Sequence, residues 1–303
     1  MTLRMLGLIV LLALAGRARA SADAVQVVND DAHFPEGPVW HAGRFYYVEY
    51  DRNTVMTWDG TRNAVFATLP KCGPSAVIAR VNGELLATCY DSGTIGRMSA
   101  AGKVLPPFTH DTAGQAFIGP NDFAPDAHGG IYFTASGPQG PAIGGKVFYI
   151  SSAGTITQRA ADLHNANGIV VSRDGRTLYV IETEENRLLK FAIAADGSLS
   201  GRSVFLNLDE LTHHVGLIWP DGVKIDTHGD LYIGQTPRDP AAPLAGTIFV
   251  VNPEGQLLRT VSLPSPGVPN FAFSPDDKLL LVTAVDQLDQ SPYRGKVYTV
   301  PNR

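Results

Sequence analysis

One pattern returns six times along this chain, and a period of that kind dictates how the chain can bury its apolar surface. Each copy opens on a small residue or proline, continues with a polar residue and an apolar strand, turns at Gly or Asp, and runs into an aromatic-rich second strand. The copies are PEGPVWHAGRFYYVEY from Pro35, PSAVIARVNGELLATCY from Pro74, PNDFAPDAHGGIYFTAS from Pro120, ANGIVVSRDGRTLYVIE from Ala166, PDGVKIDTHGDLYIGQ from Pro220 and PNFAFSPDDKLLLVTAV from Pro269. Hairpin turn chemistry falls at Asn82-Gly83, Gly129-Gly130, Asp174-Gly175 and His228-Gly229. A second strand pair follows in most copies, as in GTIGRMSAAGKV and GTIFVVNPEGQL. Four strands per period, with almost no amphipathic helix, predict an all-β fold: a six-bladed β-propeller of four-stranded blades, as one domain over residues 21–303. The stretch Ala24 to Val28 is also strand-like and is expected to pair with the last blade, closing the ring without a free edge. A pair of β-sandwiches would not explain a period kept six times.

The first twenty residues, MTLRMLGLIVLLALAGRARA, read differently. Arg4 precedes an apolar run from Met5 to Ala15, and Ala18-Arg19-Ala20 is a small-x-small cleavage site. This is the pattern of a secretory signal peptide cleaved after about Ala20. A spanning helix needs about twenty apolar residues, more than this run supplies. The expectation is an exported protein, periplasmic or secreted, with no membrane attachment after cleavage. Net charge is −5, and loss of Arg4, Arg17 and Arg19 makes the remainder more acidic, so no basic footprint for nucleic acid exists. In an oxidising compartment the two cysteines, Cys72 and Cys89, are candidates for one disulfide, with two buried thiols as the alternative.

Propeller geometry turns the repeat into chemistry. The first strand of each blade lines the central channel, and its leading residue lies near one rim. The six aligned leading residues are Glu36, Ser75, Asn121, Asn167, Asp221 and Asn270. All are polar, and burying them without partners would cost several kcal/mol each. A cation is one solution: the oxygen donors fit Ca²⁺, Mg²⁺ or Mn²⁺ better than copper or zinc. The competing reading is that Pro-Asn-Asp and Pro-Asp-Gly simply make turns.

At these residues the chain resembles the senescence marker protein/regucalcin–gluconolactonase family, with squid-type diisopropylfluorophosphatase as a more distant relation. The segments that carry the likeness are FPEGPVW, GPNDFAPDAHGGIYFT, NANGIVVSRDGRTLYV and WPDGVKIDTHGDLYI. The resemblance implies a six-bladed propeller holding one catalytic divalent cation, Ca²⁺ first with Mg²⁺, Mn²⁺ or Zn²⁺ as alternatives, through Glu36, Asn121, Asn167 and Asp221. It implies a metal-dependent lactonase that opens a small lactone by polarising its carbonyl, with Asp221 also as general base or nucleophile. Ser75 and Asn270 are not carried over as ligands. The gluconolactone-hydrolysing members place an Arg shortly before the first ligand Asn. Here Phe117-Ile118-Gly119-Pro120 stands there, so no sugar preference is carried over.

Loops on the rim side, among them Glu182 to Glu185, Gln235 to Arg238 and Asp286 to Tyr293, are expected to build a pocket. Glu182, Arg238, Tyr293 and His164 are the candidate substrate contacts. His128 and His228, at equivalent hairpin turns, are expected on the surface. There is no GxSxG elbow, P-loop or dinucleotide fingerprint. Two other readings stay open: a phosphotriesterase-like hydrolase on the same site, and a non-catalytic propeller that binds a ligand or partner.

Overall fold

Six four-stranded antiparallel sheets are arranged around a central channel in a computed structural model that describes residues 25–138, 143–213, 216–241 and 244–302. The signal peptide expected at residues 1–20 lies outside the described residues. The innermost strands of blades 1 to 6 are Pro35–His41, Pro74–Ala79, Pro120–Pro125, Ala166–Val171, Ile218–Ile225 and Gly267–Phe273, and each packs against its neighbours on both sides. These are the six copies of the sequence pattern. The residues of Pro-Asn-Asp and Pro-Asp-Gly lie within strands instead of turns.

Burial falls off radially. Second strands such as Leu85–Cys89 and Ile131–Ala135 are buried throughout, whereas the outermost strand Val104–Phe108 alternates or faces water. The core lies between blades, because each sheet needs apolar cover on both faces. Phe117, Phe123, Phe133 and Phe148 meet edge-on or stacked, with Ile78, Leu86 and Ile95 of blade 2 packed against them. The other blades meet through comparable aliphatic and aromatic seams.

Blade 6 is completed from the other end of the chain. Gln26–His33 pairs antiparallel with Arg294–Pro301, aligning Gln26 with Thr299 and His33 with Arg294. The closing strand is thus longer and later than the stretch at Ala24 to Val28. The Cys72–Cys89 disulfide is formed and staples the start of blade 2 to its second strand. Among the described residues the one helix is Leu208–Thr212, capped by Asn207, and no helix is long and apolar enough to cross a membrane. His128 and His228 are exposed, as their turns predict.

Candidate metal centre at the channel rim

Every innermost strand slips register at its leading end. The irregularities fall between Glu36 and Val39, Pro74 and Ala76, Pro120 and Phe123, Ala166 and Ile169, Pro220 and Val223, and Gly267 and Asn270. A bulge breaks the two-residue alternation and re-aims a side chain, here six times. The backbones also crowd together. A β-carbon on Gly37 would lie 2.2 Å from Ala76 Cα, one on Gly168 2.3 Å from the Asp221 carbonyl, and one on Gly222 2.6 Å from Asn270 Oδ1. The glycine after Glu36, Asn167 and Asp221 therefore permits close approach of neighbouring blades. The strands that carry Glu36 and Ser75, Asn167 and Asp221, and Asp221 and Asn270 are thereby brought into close contact.

Second-strand threonines lock these strands. Thr88 Oγ1 donates to the Asn121 carbonyl at 2.7 Å, Thr134 Oγ1 to the Asn167 carbonyl at 2.7 Å, and Thr183 Oγ1 to the Pro220 carbonyl at 2.8 Å. Each clasp reaches from one blade to the next and fixes the backbone of a leading residue. Ser75 Oγ adds a bond to the Asn121 carbonyl at 2.9 Å, and Asn270 Oδ1 accepts from the Phe271 amide at 2.9 Å. Ser75 and Asn270 are therefore engaged with protein. The clasps have a signature in sequence, since ATC, FTA and ETE place a threonine at or just past the end of second strands.

Glu36 is buried, and one carboxylate oxygen accepts the Gly37 amide at 2.7 Å. Burial, then the charges of Asp221 and Asp122, push its carboxyl well above the usual range. Asp221 is partly buried. Desolvation and Asp122 push it up to about 7, against a hydrogen bond from Asn167 that favours the charged form. Two acids from blades 1 and 5 are thus held close enough to resist ionising together. The nearby ammonium of Lys224 is engaged elsewhere, 2.8 Å from Asp122 Oδ2. Neither Asp122 nor Lys224 figured among the sequence candidates. Among the described residues no group of three or more His, Cys, Asp or Glu side chains has metal-holding geometry, so a cation at this rim would need amide oxygens as well.

The expected substrate contacts fare differently. Glu182 is fully buried; one oxygen takes Arg187 Nε at 2.6 Å and the other takes Arg202 Nη2 and the His164 amide, both at 2.9 Å. It is thus held as a buried acid between two arginines and a backbone amide. His164 is only partly buried, with Nδ1 3.4 Å from Glu185. Tyr293 packs edge-on against Phe34, and its amide donates to Asp51 at 2.8 Å. Arg238 lies over the Trp219 ring and donates to the Glu184 carbonyl at 3.2 Å. Among the described residues, Arg238 Nε and Trp219 Nε1 are buried donors without an acceptor.

Fold and rim together define a six-bladed propeller with an acid-and-amide ring at one mouth of its channel. The chain belongs to the SMP-30/Gluconolactonase/LRE-like family, whose model matches residues 34–286. It is 26% identical over 275 residues to pentonolactonase XacC of Haloferax volcanii, covering 89% of this chain and 88% of that one. A Xanthomonas campestris gluconolactonase shares the fold at 23% identity and a TM-score of 0.73, over 92% of this chain and 90% of that chain. So does regucalcin of Agrobacterium tumefaciens strain C58, titled a calcium-binding protein, at 20% identity and a TM-score of 0.72, over 90% and 92% of the two chains.

Proposed function

We propose that this protein is an exported, divalent-metal-dependent lactonase. The observation that carries the reading is the pair Glu36 and Asp221, two carboxyls whose mutual repulsion and burial call for a cation. The donor set fits: Glu36, Asn121, Asn167 and Asp221 would hold the ion through four hard oxygens, two of them anionic. Ca²⁺ is the first choice, in keeping with the regucalcin likeness. Lactone hydrolysis is in keeping with the pentonolactonase and gluconolactonase relatives. The Cys72–Cys89 disulfide supports export to an oxidising compartment, periplasmic or extracellular.

When bound, such a cation polarises the carbonyl of the ester to be opened. The chain's own part is positioning and proton transfer. Asp221, ionised beside the cation, accepts a proton from the attacking water and returns it to the leaving alkoxide. Asn167 orients that carboxylate through its hydrogen bond, and Thr183 holds the Asn167 amide at 3.1 Å.

The deciding experiment is a panel of aldonolactones, aliphatic lactones, aryl esters and phosphotriesters, assayed with EDTA and with each metal restored. Chelation should abolish lactone opening, and Ca²⁺ should return it. Turnover confined to phosphotriesters would favour that reaction class. Chelator-insensitive protein with no turnover and no thermal shift on adding metal would leave a ligand-binding propeller.

A further inference from the structure

We propose that Lys224 is a built-in cation that sets the charge of the candidate metal centre, matching it to a divalent ion and against a trivalent one. The inference rests on the metal reading above. Lys224 Nζ reaches from blade 5 across the channel to Asp122 Oδ2 of blade 3, at 2.8 Å, and Asn270 Nδ2 of blade 6 approaches the same oxygen at 3.4 Å. The other Asp122 oxygen takes the Phe123 amide at 2.8 Å. Asp122 is 3% exposed and directly follows the candidate ligand Asn121. Lys224 stands three residues after Asp221, and together with Asp122 it lines a cavity of about 430 Å³ whose walls include Val39, Ile78 and Val170.

Three carboxyls thus feel one another's charge: Asp221 and Asp122 act on Glu36, and Asp122 on Asp221. The charges of Asp122 and Lys224 both act on the other two acids. With all three carboxylates ionised around a bound cation, one ammonium among them leaves two net negative charges, the complement of a divalent ion. Coulomb interactions between partly buried charges fall off slowly and are weakly screened by salt. A change of one charge here is felt by any cation at the rim. A trivalent ion feels it more than a divalent one, in proportion to its own charge.

Calcium and terbium titrations of the full mature chain test this, with calorimetry for Ca²⁺ and sensitised luminescence for Tb³⁺. Lys224→Met should tighten Ca²⁺ at least tenfold, about 1.4 kcal/mol, and tighten Tb³⁺ by a larger factor. Asp122→Asn, which keeps the ammonium and removes its partner, should loosen Ca²⁺ at least tenfold. The double variant Asp122→Asn/Lys224→Met restores the count of two negative charges and should return Kd to within about threefold of wild type. Chelated thermal unfolding checks that each variant folds; if Lys224→Met does not, Lys224→Gln replaces it. A Lys224 variant that folds and binds both ions as wild type does, or more loosely, overturns the proposal while leaving the metal reading intact. Wild-type protein that binds neither ion overturns both.

Discussion

A β-carbon on Gly168 would stand 2.3 Å from the carbonyl oxygen of Asp221, closer than real atoms approach. The glycine after Asn167 thereby sets how near blades 4 and 5 come at the rim. Gly168→Ala should destabilise the protein by about 2 kcal/mol through overpacking. For a chain of this size that lowers Tm by roughly 3 °C. Metal affinity should fall with it, because Asp221 moves. A melting curve superimposable on wild type would contradict the close approach.

Glu182 separates a structural acid from a substrate contact. Replacing it by Ala leaves Arg187 and Arg202 without their partner and the His164 amide without an acceptor. A loss of about 2–3 kcal/mol in urea unfolding is expected, toward the low end for a buried pair because both arginines reach solvent. The kcat of the folded fraction should stay near wild type. A folded variant with normal stability and lost turnover would return Glu182 to the substrate pocket.

The acids at the rim make the chelated protein sensitive to pH. Asp221 titrates near 3.8 when unconstrained and near 7 in the fold, and Glu36 is raised in the same direction. Between these values the folded state holds more protons than the unfolded chain, so stability falls as pH rises. In EDTA, Tm should therefore drop from pH 5 to pH 8. Saturating Ca²⁺ should remove most of that slope, since a cation stabilises the ionised pair. A chelated Tm that rises steadily across this window would show that the two carboxyls do not repel in the fold.

Asp221→Asn tests the proton-transfer role directly. It removes the base and one negative charge but keeps the side-chain shape. Lactone turnover should drop by at least a hundredfold, the lower end of general-base contributions, while chelated Tm rises because a buried charge is gone. Full activity in this variant would remove Asp221 from the chemistry.

The repeat was legible because every blade solves the same packing problem, so Pro35, Pro74, Pro120, Ala166, Pro220 and Pro269 each mark an innermost strand. The place of the six leading residues on innermost strands could be read for the same reason. The pairing of Lys224 with Asp122 could not, because its partners are 102 residues apart and lie on non-adjacent blades. Within VKID a lysine reads as the outward half of a strand alternation, whereas it follows the register slip between Pro220 and Val223 and reaches Asp122. The burial of Glu182 was not legible because a polar residue at the end of a strand resembles a loop residue. Yet its mate Arg187 lies five residues on, and Glu49 with Arg52 repeats the arrangement in blade 1 at 3.3 Å. The turn reading of Pro-Asp-Gly failed because these glycines answer a neighbouring blade rather than a reversal of the chain.

Gln26 finds its partner in Thr299, and this has a consequence for birth rather than for chemistry. Ribosomes deliver the opening strand first and its mate last. Until the final residues emerge, blade 6 is missing its third strand and the earliest strand has nothing to pair with. Pairing across such a span makes closure late and leaves an adhesive edge exposed meanwhile. Truncation of a few C-terminal residues should therefore be felt at the opposite terminus, and the finished circle has no natural place to start unravelling except that one seam.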